Sequence, residues 1–439
     1  MKRLPTWRAA SGLLSLGLLT PQSQFVLADA DNAADAISHH WTLTGEHQYR
    51  RQDPCSNDCS DQSAQLRLSD RLQWQSLTAQ IYLDQQTSQH EENLTRLRLA
   101  ELSAHWQPED GWQLRAGRFS QDFERATVMQ PMAFFQTAAA PFDQLADPDG
   151  LWMVSATHWL DDWTLTAVLA EANRANSDQP GTSEWQPAAG EATPKQWGLA
   201  AERDFESLSV TLLAQQYQGR QPGLGVGYSR VIGSSWQLVG SSFIRQGSHY
   251  LSGYQQSRAH LLASLPTTSA DAVAAQLPDL QRSDSGWYPR LSQGIQWSGL
   301  TQMLQLELHY DRRKLSADEQ QALYQLSDSS SASSTADTST SPSAESTAFS
   351  NAAASLGNDR HQQRYLYQSW QYENTDYRLS QALLLGADHS HWWQLKAEWL
   401  PDWSLSFWLA YNGWQGNNQS EFGRAPWHSQ ISTGGQWVF

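Results

Sequence analysis

The chain has 439 residues, 45 acidic side chains against 29 basic ones, a net charge of −16 and a mean hydropathy of −0.60. That acidic balance disfavours a nucleic-acid binder, whose partner is a polyanion, and no apolar run beyond the N-terminus approaches the roughly 20 residues of a membrane-spanning helix. The 22 Trp are many for so hydrophilic a chain, and tryptophan often marks a membrane interface.

Residues 1–30 read as a secretory signal peptide. Lys2, Arg3 and Arg8 make a positive start, Ala9 to Leu19 form an apolar core, and Ala28-Asp29-Ala30 is a small-x-small cleavage site, with Val26-Leu27-Ala28 as a near alternative. A retained N-terminal anchor is the other reading, and the short core argues against it. Export suits the two cysteines. Cys55 and Cys59 lie close together in a polar segment, where an oxidising compartment would bridge them and pin a loop tip. A metal or redox pair is the alternative, but partner ligands are lacking nearby.

From Trp41 onward the pattern has period two. Trp163, Leu165, Ala167 and Leu169 share one face; so do Leu208, Val210 and Leu212; so do Leu304, Leu306, Leu308 and Tyr310; so do Trp403, Leu405, Phe407, Leu409 and Tyr411. Such alternation means strands with one apolar and one wetter face. Strands are predicted near 40–49, 63–74, 77–85, 94–106, 111–118, 151–160, 163–173, 195–203, 207–217, 223–232, 236–246, 287–297, 300–312, 361–373, 377–387, 391–400, 403–412 and 427–439. That is eighteen; losing one hairpin would leave sixteen. The connections alternate. Short turns rich in Asp, Gly, Pro, Asn and Ser, many flanked by Trp, alternate with longer segments such as 119–150, 174–194, 247–285 and 314–358.

Short turns at one end and long loops at the other mark a bacterial outer-membrane β-barrel. The fold class read here is therefore an all-β transmembrane antiparallel barrel spanning 31–439. The recurrent Trp beside the short turns would form a periplasmic aromatic girdle, which a soluble sandwich or propeller would not need. Lipid satisfies no backbone groups, so the first strand must meet the last. The chain ends Gly434-Gly435-Gln436-Trp437-Val438-Phe439, and this aromatic terminus resembles the signal by which outer-membrane proteins are assembled.

Three fragments carry a family resemblance. Leu114 to Arg125, Trp163 to Asn173 and Trp393 to Asn412 resemble strand-to-loop and hairpin segments of phosphate-selective porins of the O/P type. That resemblance implies a 16-stranded trimer with basic residues lining a pore. A count of eighteen is more similar to alginate-export and substrate-specific porins. The fragments cover under a fifth of the chain, and no residue role is carried over from them.

If the apolar face meets lipid, the other face lines the lumen. Candidates there are the basic Arg67, Arg71, Arg115, Arg245, Arg290, Arg378 and Lys396, and the acidic Glu46, Asp84, Glu101, Glu202, Glu307 and Glu398. Both signs are present, so no clean anion ladder is readable. For each residue the plain alternative is a wall side chain in a salt bridge or facing water. The 119–150 segment is unusually apolar for a surface loop: Phe119, Phe123, Met129, Met132, Phe134 and Phe135 accompany Asp122, Glu124 and Arg125. It is expected to fold into the barrel and narrow it; a lid over the mouth or a partner-binding patch are the alternatives. Residues 326–355 are Ser/Thr/Ala-rich and read as a low-complexity surface loop.

No nucleophile elbow or HExxH spacing accompanies the 13 His, and His389 and His391 lack further ligands. No enzyme, cofactor or metal site is read. The function expected is an outer-membrane porin of a Gram-negative bacterium, a passive channel for small hydrophilic solutes or ions. The rival is a non-conducting barrel acting as scaffold, exporter component or surface-interaction protein. Expected partners are membrane lipid, lipopolysaccharide and the barrel-assembly machinery, with a homotrimer or a monomer as the assembly and no nucleic acid.

Overall fold

The structure, a computed structural model, describes residues 38–51, 60–89, 93–135, 150–171, 195–247, 259, 263, 285–321, 362–417, 420–425 and 427–439. The signal-peptide reading, Cys55, Cys59 and the 326–355 segment lie outside the described residues.

Eighteen strands follow one another: β1 (Ser38–Arg51), β2 (Ser60–Trp74), β3 (Leu77–Ser88), β4 (Leu94–Trp106), β5 (Trp112–Phe119), β6 (Leu151–Leu160), β7 (Trp163–Glu171), β8 (Lys195–Asp204), β9 (Leu208–Tyr217), β10 (Gly223–Ile232), β11 (Trp236–Gln246), β12 (Trp287–Ser298), β13 (Gln302–Asp311), β14 (Arg364–Glu373), β15 (Tyr377–Gly386), β16 (His391–Asp402), β17 (Leu405–Gln415) and β18 (Ser429–Val438). Each pairs antiparallel with its sequence neighbours, and β1 pairs with β18, from Thr42↔Val438 to Arg51↔Ser429. The sheet is thus a closed barrel without an edge, so no ladder is left unpaired. The seam ends in reciprocal bonds: Trp41 N–H to the Phe439 carbonyl at 3.0 Å and Phe439 N–H to the Trp41 carbonyl at 2.9 Å.

The two faces separate cleanly. On β13, Leu304, Leu306 and Leu308 are 39–58% exposed, whereas Gln305, Glu307 and His309 are 1–5% exposed. The leucines therefore point outward and the polar residues inward, the inside-out arrangement of a barrel whose solvent outside is lipid. Exposed Trp74, Trp106, Trp159, Trp236 and Trp399 stand near the short turns, and exposed Trp152, Trp197 and Trp287 near the long-loop end.

The short turns are 75–76, 107–111, 161–162, 205–207, 233–235, 299–301, 374–376 and 403–404. Backbone of positive φ at Gly111 (82°) and Gly233 (63°) explains glycine at those two bends. Two details depart from simple alternation. Gln80 faces Glu101 while Ile81 faces Leu99, so Ala100 is an extra residue on β4. Such a bulge resets which side chains point inward. A second irregularity lies between Trp399 and Asp402, where Pro401 cannot donate to the ladder. It leaves Trp403, expected at the start of a strand, in the turn and 90% exposed.

Candidate functional site: the barrel lumen

After β5 the chain does not remain at the rim. Residues 120–135 run among inward-facing wall side chains, and an isolated bridge between Gln121 and Phe135 ties the base of the loop. Phe119, Phe123, Met132, Phe134 and Phe135 are buried with Leu151, Met153, Val168, Ala170, Ala200, Leu213 and Phe243, the inner faces of β6–β9 and β11. The wall is thinned to receive them. A Cβ at Gly198 would come within 2.4 Å of the Phe135 ring, and one at Gly225 within 2.6 Å of Met132 Sδ.

The far part of the loop reaches other strands. Val128 and Met129 pack with Tyr365, Leu384 and Trp392 of β14–β16. Phe422, in a single 3-10 turn at Phe422–Arg424 between β17 and β18, joins the same cluster. One loop therefore touches two separate arcs of the wall and crosses part of the lumen between them.

Two carboxylates hold this course. Glu124 accepts the N–H groups of Arg125 and Ala126 at 2.9 Å and of Met132 at 2.6 Å, folding the loop on itself. Burial pushes its carboxyl above the usual glutamate value, against the lowering effect of Ser241 and the backbone donors. Glu307 on β13 accepts N–H from Thr127 and Met129 at 3.1 Å and Val128 at 3.3 Å, and the Ser292 hydroxyl at 2.6 Å. Arg125 adds a third anchor, donating to Glu202 at 2.8 Å and to Thr211 at 3.1 Å. Buried N–H groups need such acceptors because water cannot reach them.

Three groups of inward-facing cations stand out among the described residues. Arg245 and Arg290 flank the docked loop: both lie over the Phe134 ring, at 5.7 and 5.5 Å, and Arg245 also over Tyr217 and Phe243. Arg245 donates to Gln215, and Arg290 lies 3.8 Å from Asp311, which Arg313 also engages. On the β2–β5 wall, Arg67 and Arg98 sandwich the Tyr82 ring at 4.9 and 4.7 Å and share Asp84, at 2.5 and 3.5 Å. Arg115 bonds Glu101 and Ser103 with its guanidinium 4.0 Å over the Phe119 ring. On β15–β17, Glu398 receives Arg378 at 3.2 Å and Lys396 at 3.5 Å, and Lys396 lies over Trp408. Arg378 also pairs with Glu373. Trp408 fits because Gly434 lacks a side chain: a Cβ there would be 2.2 Å from its ring.

Arg71 stands apart, exposed near the short-turn end, with no ion pair among the described residues. Glu46 is buried on β1 and accepts from Gln48. The sequence reading missed Arg98, Tyr82, Asp311, Arg313 and Trp408. Strict alternation puts Arg98 and Glu101 on opposite faces, and only the Ala100 bulge turns both inward. Tyr82 and Trp408 read as ordinary strand aromatics. Their signal was parity within their own strands, Tyr82 with Asp84 on β3 and Trp408 with Ala410 and Asn412 on β17, out of phase with the leucines.

The closed sheet, the outward apolar band and the charged interior define an 18-stranded antiparallel barrel with a polar inside. Solved structures bear this out at the level of fold. OpdQ of Pseudomonas aeruginosa matches with a TM-score of 0.53 and 8% identity, over 92% of this chain and 99% of that one. OccAB3 of Acinetobacter baumannii matches with a TM-score of 0.52 and 7% identity, over 92% and 99%. OccK5 (OpdH) of Pseudomonas aeruginosa matches at 0.50 and 8%, over 92% and 98%. These neighbours are outer-membrane porins. No protein-family model and no curated protein matches the chain.

Proposed function

We propose that this protein is a porin of a Gram-negative outer membrane, a passive channel for small hydrophilic solutes or ions rather than an enzyme. The observation that carries this reading is the polar interior of a barrel with an apolar outside. Inward-facing charged side chains remain accessible to the lumen, Arg378 at 36% and Arg115 at 29%. An eighteen-stranded barrel is too wide for side chains alone to fill. The loop at 120–135 narrows this space from one side, and the passage runs along the charged wall of β1–β5 and β15–β18. Cations held against aromatic faces and carboxylates there set the ion preference.

Orientation follows the same logic, with short turns periplasmic and long loops outside the cell. The Trp437–Phe439 terminus, which closes the seam, also serves as the recognition element for barrel assembly. The 18 strands favour the substrate-specific side of the sequence resemblance over the 16-stranded phosphate-selective one.

The test is planar-bilayer conductance of the refolded protein, with the reversal potential measured in a KCl gradient. Discrete steps with a defined ion preference support the channel. A folded, heat-modifiable but silent barrel overturns it. One observation favours the second reading, a plugged or gated barrel: the loop touches both β6–β11 and β14–β16.

A further inference from the structure

The outward-facing border of the long-loop end is basic. Among the described strand residues, its outward positions carry Arg51, Arg118, Lys195 and Arg364 against one acid, Glu171. At the short-turn end the outward strand positions carry Arg203 and Arg230 against Asp70, and the turns carry Glu109, Asp110, Asp161, Asp162, Glu206 and Asp376. Outward charges at the rim take no part in lumen chemistry. Charges there meet whatever lies at the membrane border.

The densest point is the rim of β12–β14. Arg364 opens β14 opposite Tyr310, with its guanidinium 5.9 Å from that ring. Arg312 follows β13; its N–H bonds the Pro289 carbonyl, which continues the β12–β13 register and points its side chain outward. Its neighbours Asp311 and Arg313 turn inward and are buried, whereas Arg312 and Arg364 are both exposed. Arg312 also donates to the Trp287 carbonyl at 3.3 Å, drawing it toward an outward Trp that is 54% exposed. Neither arginine forms an ion pair among the described residues. Three adjacent strands span about 10 Å, so the two guanidinium groups can close on one anion. Below them lie Leu291, Leu308 and Leu366, inside the apolar band.

We propose that Arg312 and Arg364, framed by Tyr310 and Trp287, form a binding site on the outer wall for the phosphorylated headgroup of an outer-leaflet glycolipid, the lipid A part of lipopolysaccharide. The site supplies what such a headgroup needs: planar cationic donors for phosphate, aromatic rings at the interface, and an apolar wall for acyl chains. Attraction to anionic lipid at a membrane surface adds to each basic residue. The inference rests on the outer-membrane reading above but not on conduction.

The test titrates full-length refolded protein with lipid A in detergent and counts bound glycolipid by native mass spectrometry. The double variant R312Q/R364Q is expected to weaken binding about tenfold or more. R203Q, an outward arginine at the short-turn end, leaves it unchanged. Dephosphorylated lipid A should bind the unaltered protein as weakly as lipid A binds the double variant. Equal binding of lipid A by the double variant and the unaltered protein overturns the proposal. So does equal binding of the dephosphorylated lipid, or displacement of lipid A by inorganic phosphate at matching concentration. Single-channel conductance, measured in parallel, stays at its original value because both residues lie outside the lumen. Equal lipid A binding by the double variant and the unaltered protein, with intact conductance, therefore refutes this site alone and leaves the channel reading standing.

Discussion

Glu307 gives the sharpest lever on the loop. Its carboxylate, 1% exposed, receives three consecutive backbone N–H groups of the loop and the Ser292 hydroxyl. In Glu307→Ala the N–H groups of Thr127, Val128 and Met129 lose their shared acceptor, while the apolar cluster around Val128 and Met129 still shields those two and Thr127 is exposed. Leaving a buried donor unsatisfied costs about 1–3 kcal/mol, so the two shielded ones together weaken docking by about 2–6 kcal/mol if the loop stays in place. The loop escapes that cost by leaving the β13 wall and taking its N–H groups to water. The barrel itself keeps its ladders, so heat-modifiable migration on a gel should persist. Single-channel recordings should show larger mean conductance and more flicker. Glu307→Gln keeps one acceptor oxygen without the charge, so its effect should be smaller and of the same sign. Conductance and noise unchanged in Glu307→Ala, with the barrel folded, would refute the idea that this carboxylate holds a constriction.

Three further outcomes are expected. Deleting residues 125–145 removes the crossing segment and should raise conductance more than Glu307→Ala does; an unchanged step size in bilayer recordings counts against constriction. Gly198→Val places side-chain atoms where the Phe135 ring lies, and overpacking of this kind costs about 1–3 kcal/mol, so limited proteolysis should cut the loop faster than in the unaltered protein. Replacing Arg67 and Arg115 together by Gln leaves Asp84 and Glu101 with less compensation; the reversal potential should move toward cation preference, and an opposite or absent shift would show that the passage avoids this wall.

Much of the architecture was legible before any coordinates. Side chains of a strand alternate with period two, so the leucines at 304, 306 and 308 announced an outward face and Glu307 an inward one. Glycine and the Asp-Asp pair marked short turns because few residues accept the backbone they need. The strand number followed, and with it the need for closure, since lipid leaves no unpaired edge. Boundaries moved by a few residues because hydrogen-bonded ladders continue past the apolar stretch, as β1 and β2 do, running to Arg51 and starting at Ser60.

Partnership was not legible. Arg67 and Asp84 stand on different strands, and their meeting depends on the register between β2 and β3. Arg98 faces the lumen only because Ala100 is an extra residue opposite Gln80 and Ile81, and a bulge leaves no mark in composition. The apolar content of the loop after Phe119 hinted at burial, yet its route could not be read. That route depends on Gly198 and Gly225 clearing the wall on one side, on Glu307 waiting on β13, and on Met129 reaching Tyr365 and Trp392 beyond it. Local pattern determines which way each side chain points, because that is a property of one strand. Which charges are paired against others, and which line the passage, is decided only when eighteen strands close and bring distant segments within a few ångströms.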